Sequence, residues 1–150
     1  MNTEKITCNA CLAHAEKDVR FATRDIEYGK HDVLVKVAYG GICGSDIHYY
    51  QHGRAGMSIL KHPMVIGHEF VGVVEKCPAE SGLKVGQTVA INPSCPCNQC
   101  EMCLSGKQNM CSSMRFMGSA QFNPHVNGGF SEYVAVKPEQ CIAYDSRVPA

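Results

Sequence analysis

The sequence contains no tryptophan, and aromatic residues make up only 7% of its 150 residues. A core built from it must therefore be largely aliphatic, for which a hydrophobic content of 45% is sufficient. Neither sign of charge is in excess, because 14 basic residues balance 14 acidic ones, so nothing indicates a surface for nucleic acid or an anionic membrane. No apolar run approaches the roughly 20 residues of a transmembrane helix. A chain of this length is expected to form one domain.

Two sequence signals are also missing. Residues 1–7 contain neither the apolar stretch nor the small-residue cleavage site of a secretory signal. The ten cysteines therefore predict a reduced, cytoplasmic protein rather than a disulfide-bonded one. No segment carries the G-x-G-x-x-G motif between a strand and a helix, so the sequence shows no dinucleotide-binding unit of its own.

Half of the cysteines fall between positions 95 and 111, and four of them have the spacing of metal ligands. Three follow each other as C-x2-C-x2-C and the fourth comes after seven further residues: Cys97, Cys100, Cys103 and Cys111. Four thiolates spaced in this way can surround one tetrahedral zinc ion. The spacing alone does not exclude an iron–sulfur cluster, although ferredoxin-type runs differ after the third cysteine. Disulfides between cysteines so close in sequence would be strained.

Short apolar segments separated by glycine and proline predict strands. We expect strands at residues 6–13, 19–26, 33–39, 70–74, 88–91, 130–136 and 141–144. Residues 45–51 predict a short helix that Ser45 or Asp46 would cap. Many short strands with few helices favour a mainly β fold, a partly open barrel.

Cys43, His68 and Glu69 form a second candidate group. Cys43 lies between glycines at a predicted strand end, and His68 follows Gly67, which allows the backbone to approach closely. Two or three protein ligands with an open position are typical of catalytic zinc. Taken singly, however, the cysteine could be a packing residue and the Gly-His-Glu segment a polar turn. The spacing by itself leaves both interpretations open.

Four motifs occur together in order: residues 40–48, residues 62–69, the four-cysteine segment, and residues 128–133. Together they resemble the catalytic domain of the zinc-dependent medium-chain alcohol dehydrogenases. The continuation Ser45-Asp-Ile-His-Tyr-Tyr50 is similar to the polyol and sugar-acid branch of that family. The resemblance covers essentially the whole chain. It implies a GroES-like β-barrel over residues 1–150, with a zinc-stapled lobe at about residues 92–115.

The resemblance also implies two zinc ions per chain, one structural and one catalytic. The cysteines that hold the structural ion in the family match Cys97, Cys100, Cys103 and Cys111, which leaves Cys95 without a role. The residues that match Cys43 and His68 hold the catalytic ion. Glu69 matches a carboxylate that is either a direct ligand or a close neighbour of that ion.

The reaction implied is the oxidation of a secondary alcohol of a polyol or sugar acid to the ketone, with NAD or NADP as hydride acceptor. The catalytic zinc would stabilise the alkoxide, and Ser45 and His48 match the positions that relay the proton. Alternatively, Ser45 only caps a helix. The candidate substrate contacts are Tyr49, Tyr50, Arg54 and Arg115.

Family members continue into a Rossmann domain that this sequence does not contain. We therefore expect a fragment of a longer dehydrogenase, which binds zinc but is inactive by itself. The full-length enzyme is expected to form a homo-oligomer, a dimer or tetramer, and to act on a small molecule. One alternative is a zinc-stabilised β-barrel that serves as a binding or scaffold module, with one zinc per chain instead of two. Another is a quinone-oxidoreductase relative without catalytic zinc, against which Cys43 and His68 argue.

Overall fold

Strands dominate the computed structural model, which describes residues 3–145 and 147–148. The strands are β1 (Glu4–Ala15), β2 (Asp18–Tyr28), β3 (Val33–Gly41), β4 (Arg54–Ala55), β5 (Ser58–Ile59), β6 (Met64–Val65), β7 (Glu69–Lys76), β8 (Thr88–Ile91), β9 (Ser94–Cys95), β10 (Arg115–Phe116), β11 (Tyr133–Val136) and β12 (Cys141–Ala143). The α-helices are α1 (Gly44–His52) and α2 (Glu101–Leu104), and short 3-10 turns lie at Ala79–Ser81, Gln108–Met110 and Pro138–Gln140. The prediction of a mainly β fold is confirmed. No helix in these described ranges is long and apolar enough to cross a membrane.

Two antiparallel sheets form the body of the molecule. The larger has the order β11-β3-β7-β8-β12 and the smaller the order β2-β1-β6. They are joined where residues 130–132 run beside β1: the Cys11 amide donates to the Phe130 carbonyl at 2.7 Å, and the Glu132 amide donates to the Asn9 carbonyl at 3.0 Å. The chain then passes directly into β11 and pairs with β3, so the sheets continue into one another.

The core is aliphatic, as the composition predicts. Alternate residues of the central strands face inward, because successive side chains of a strand point to opposite faces. The principal buried cluster consists of Val33, Val35, Phe70, Val74, Val89, Ile91, Met117, Val134, Val136 and Cys141. Full burial of a valine or isoleucine side chain stabilises a fold by roughly 1.5–3 kcal/mol, so this cluster anchors the larger sheet.

Three chain segments cross backbone to backbone at Gly67, Gly118 and Gly128. A Cβ atom on Gly128 would lie 2.1 Å from the Gly67 carbonyl oxygen, and one on Gly118 would lie 2.8 Å from it. Gly67 also has a φ of 89°, which L-amino acids with side chains rarely adopt. The crossing therefore requires glycine, and it fixes the backbone immediately before His68.

Two details of the predicted secondary structure are wrong. The helix expected at residues 45–51 forms as α1, but its N-cap is Cys43, with an extended backbone. Asp46 is the third residue of the helix, and its carboxylate accepts a hydrogen bond from the Cys43 amide at 3.0 Å. The strand expected at 130–136 begins only at Tyr133, because residues 130–132 are hydrogen bonded to β1 while the chain turns toward β3.

Candidate metal centres

The four predicted cysteines converge in the lobe between β9 and β10. The sulfur atoms of Cys97, Cys100, Cys103 and Cys111 all lie within 4.8 Å of one another. Cys100 is the N-cap of α2 and Cys103 lies within that helix, while Cys111 follows the 3-10 turn at Gln108–Met110. Backbone amides support the sulfurs: Cys100 donates to the Cys97 sulfur at 3.4 Å, and Cys97 donates to the Cys111 sulfur at 3.3 Å.

The surroundings of these thiols favour deprotonation of some and not of others. Hydrogen bonds from backbone amides at Cys103 and Ser112 lower the pKa of the Cys100 thiol to about 6. A hydrogen bond from the Cys97 amide likewise lowers the pKa of Cys111. Desolvation, in contrast, raises the pKa of Cys103 to about 12. Four thiolates cannot coexist here without a cation, and their number and separation fit a closed tetrahedral zinc site.

A second cluster contains one thiol, one imidazole and one carboxylate. Ligand atoms of Cys43, His68 and Glu69 also lie within 4.8 Å of one another. They meet because β3 and β7 are neighbours with Gly41 paired to Glu69, so that Cys43, just after β3, reaches His68, just before β7. The His68 side chain is largely buried, with 13% of its surface exposed, whereas Glu69 is exposed. Three donors leave at least one position of a tetrahedral ion open.

Asp46 holds this cluster together, a role that the sequence analysis missed. Its side chain is only 3% exposed. One carboxylate oxygen accepts the Gly67 amide at 2.9 Å and the other accepts the Cys43 amide at 3.0 Å. Nδ1 of His68 lies 4.0 Å from the first of these oxygens. One buried carboxylate thus joins both segments that carry donors. An acidic residue three positions after a helix N-cap is a signal from which this contact could have been found.

A depression of about 200 Å³ adjoins the second cluster. Its lining includes Ser45 and His68, together with Phe116, whose ring meets the His68 imidazole edge-on with 5.3 Å between ring centroids. His48 does not share this lining. It faces a neighbouring depression on the solvent side of α1, beside Arg54.

The two tyrosines predicted near the substrate have different surroundings. Tyr49 is buried and lines the depression beside the cluster, but its hydroxyl already accepts the Ala120 amide at 2.9 Å. Tyr50 is 45% exposed, on the outer side of α1. Only the first of the two therefore contributes a wall to the depression.

The two arginines predicted near the substrate also lie apart. Arg54 is exposed at the start of β4, in the β4–β5 hairpin whose Ala55 and Ser58 form part of the wall of the depression. Arg115 lies 5.2 Å from the centre of the Phe122 ring and lines a different depression together with Cys95. The structure does not bring Arg54 and Arg115 to one site.

The fold and the two clusters together define a class: mainly β domains with a closed four-cysteine lobe and a separate, open cluster of mixed donors. Residues 29–146 match the family model of the alcohol dehydrogenase GroES-like domain. The chain belongs to this family, as the motifs predicted.

Individual relatives agree with that assignment. Over 143 residues the chain is 43% identical to L-idonate 5-dehydrogenase (NAD(P)(+)) of Escherichia coli (strain K12), a match that covers 95% of this chain and 41% of that enzyme. It is 44% identical over 126 residues to D-xylulose reductase A of Aspergillus niger, covering 82% of this chain and 34% of that protein. The motifs at residues 114–119 and 124–130 predicted the likeness to L-idonate 5-dehydrogenase, which is confirmed.

Solved structures show the same likeness. The crystal structure of L-idonate 5-dehydrogenase from Escherichia coli superposes with a TM-score of 0.92, covering 98% of this chain and 42% of that one. Galactitol-1-phosphate dehydrogenase from Escherichia coli, 30% identical, superposes with a TM-score of 0.81, covering 94% of this chain and 39% of that one. The chain thus spans about two fifths of the length of these relatives.

Proposed function

We propose that this chain is the zinc-binding catalytic domain of a dehydrogenase that, as a longer protein, oxidises a secondary alcohol of a polyol or sugar acid with NAD or NADP. The observation that carries the proposal is the convergence of Cys43, His68 and Glu69 beside a depression, apart from the four-cysteine cluster. A structural lobe has no use for a second, open set of donors. The names of the two relatives, L-idonate 5-dehydrogenase (NAD(P)(+)) and D-xylulose reductase, support the substrate class and the cofactor.

The two clusters would have separate tasks. The four cysteines of the lobe would hold a structural zinc and leave no position for a substrate. At the second cluster, the Cys43 thiolate and the Glu69 carboxylate would offset the charge of a catalytic zinc. Asp46 lies toward Nδ1 of His68 and so favours the opposite ring nitrogen, Nε2, as the ligand atom.

The reaction needs a proton and a hydride to leave the substrate alcohol. When bound, the catalytic zinc would act as a Lewis acid that makes the substrate hydroxyl more acidic. Ser45, which lines the depression, would accept the hydroxyl proton while passing its own hydroxyl proton on toward His48. The exposed His48 imidazole, one helical turn further on, would then exchange that proton with water. NAD or NADP would be bound by the part of the longer protein that this chain does not span.

The neighbouring residues would shape the substrate site. Tyr49 would form part of its wall. Arg54 lines the neighbouring depression, and it is the better placed arginine for a substrate carboxylate because the next residue, Ala55, lines the substrate depression. Tyr50 and Arg115 line neither of these two depressions and have no part in the proposal. We also propose that the longer enzyme is cytoplasmic and forms a homo-oligomer. Light scattering of that enzyme would measure its oligomeric state.

Zinc content tests the proposal and separates it from a scaffold module. We expect two zinc ions per chain, measured by elemental analysis after removal of loosely bound metal. Cys43→Ser should retain one ion, whereas Cys95→Ser, a cysteine of the lobe outside both clusters, should retain two. One ion per wild-type chain would favour the scaffold module. Equal zinc loss in the two variants would contradict the assignment of ligands.

Activity provides the second test. In the longer enzyme, Cys43→Ser should abolish alcohol oxidation while Cys95→Ser leaves it intact, as measured by NAD(P)H formation. The 150-residue chain itself should show no turnover. Oxidation of an aldonate or polyol by these 150 residues with added NAD would contradict the proposal that NAD or NADP is bound by another part of the longer protein.

A further inference from the structure

The solvent side of α1 carries two histidines, His48 and His52, four positions apart. Residues i and i+4 of an α-helix lie one above the other on the same face. The centroids of the two imidazole rings are 5.8 Å apart, and the ring planes differ by 33°. Both side chains are exposed, and both line a depression of about 310 Å³ whose other lining residues are Arg54 and Gly56. Two imidazoles therefore face the same small volume of solvent.

The helix presents this pair in a fixed frame. Its opposite face is buried through Asp46 and Tyr49. The last turn closes at Gly53, which adopts the left-handed conformation and donates its amide to the Tyr49 carbonyl at 3.0 Å. His52 is the last helical residue, where the aligned peptide dipoles produce a partial negative charge that favours a cation.

We propose that His48 and His52 form a binding site for a divalent transition-metal ion, separate from both clusters that contain cysteine. Two imidazoles at i and i+4 can direct one nitrogen each to the same ion, as in helical zinc motifs. Imidazole suits Zn²⁺, Ni²⁺ and Cu²⁺, and water completes their coordination at an exposed site. The guanidinium of Arg54 opposes a cation, but it is exposed, so that it can turn away and water screens its charge.

An ion at this site has a consequence for catalysis, which rests on the proposed function. It would occupy the imidazole of His48 and remove the group that exchanges the substrate proton with water. Excess Zn²⁺ should then slow the longer enzyme reversibly, and a chelator should restore its rate. The binding of metal to the histidine pair does not depend on this consequence.

A nickel titration of the 150-residue chain tests the binding site. The chain is first loaded with zinc and freed of excess, so that the cysteine clusters are filled. Ni²⁺ is then added while the nitrogen signals of the imidazoles are followed by NMR, in which paramagnetic Ni²⁺ broadens the signals of nearby nuclei. We expect the signals of His48 and His52 to broaden together and before that of His31, an exposed histidine that lies beside Glu80 rather than beside a second imidazole.

Two variants sharpen the test. His52→Gln keeps a polar, helix-compatible side chain. It should weaken Ni²⁺ binding by about tenfold or more, because an ion bound by His48 then has no second imidazole held beside it on the same chain. His31→Gln, the matched control, should leave the affinity unchanged. Unaltered zinc content in both variants shows that they remain folded.

Three results would overturn the proposed metal site. They are broadening of the His48 signal at no lower Ni²⁺ concentration than that of His31, an unchanged Ni²⁺ affinity in His52→Gln, and imidazole signals of the pair that respond to gluconate but not to Ni²⁺. The last result would instead identify an anion site centred on Arg54. If instead the proposed dehydrogenase function is wrong, the chain should hold a single zinc ion while the nickel titration of the histidine pair gives the same result.

Discussion

Replacing Asp46 by asparagine should loosen the Cys43–His68–Glu69 cluster without altering any candidate ligand. The carboxylate of Asp46 accepts one backbone amide on each side, from Cys43 and from Gly67. Asparagine has the same shape but only one acceptor oxygen, so its NH₂ group must face one of the two amide donors. One hydrogen bond is lost, and two donors oppose each other in a site that is 3% exposed.

The expected loss of stability follows from the number of backbone amides that lose their acceptor. A buried donor without a partner costs about 1–3 kcal/mol, so we expect Asp46→Asn to lower the free energy of unfolding by that amount. Asp46→Ala leaves both amides unpaired and should cost roughly twice as much. Because domains are stable by only about 5–15 kcal/mol, the alanine variant risks unfolding, and asparagine is the more informative change. Loss of a group that orients metal ligands weakens metal affinity by about 10–100-fold, which we expect at the second cluster only.

Two assays check this prediction: urea unfolding at a fixed zinc concentration, and zinc removal by a competing chelator. In Asp46→Asn the urea midpoint should fall, and one of two zinc ions should leave at a lower chelator concentration. Asp25→Asn provides the control, since Asp25 lies on the surface and pairs there with the exposed Lys5. An unchanged midpoint together with unchanged retention of the second zinc would refute the reasoning.

The remaining predictions concern packing around the site, and all are read from urea midpoints. Gly128→Ala should destabilise the fold by about 1–3 kcal/mol or more, because the added Cβ would lie 2.1 Å from a backbone oxygen that cannot move aside. In the control, Gly44→Ala, the added Cβ has no atom within 4 Å, so this variant should be neutral or stabilising. Equal midpoints for these two variants would count against the glycine crossing. Tyr49→Phe should cost about 1–3 kcal/mol, because the buried Ala120 amide loses its acceptor, and the exposed Tyr50→Phe should cost little. A neutral Tyr49→Phe would show that this hydrogen bond contributes nothing.

Predictions from the sequence succeeded where the determining interactions are local. The strands follow from alternation of apolar residues, and the helix over residues 45–51 follows from the glycines before it and the residue types within it. Its cap was predicted wrongly, because an N-cap is defined by backbone conformation, whereas residue preference alone favoured Ser45 or Asp46 over Cys43. The contacts of Asp46 were missed for a related reason, since one of its two partners, Gly67, is distant in sequence.

The two clusters separate what the sequence by itself determined from what only the tertiary structure decided. The four cysteines of the lobe lie within 15 consecutive positions, 97–111, so their spacing alone predicts that they can meet around one ion. His48 and His52 are adjacent for the same reason, because a helix fixes the distance between positions i and i+4. Cys43 and His68 meet only because β3 pairs with β7 in a register that sets Gly41 against Glu69. That register depends on burial of the inward-facing residues of the whole sheet and on irregularities in β3 pairing, which no local pattern specifies.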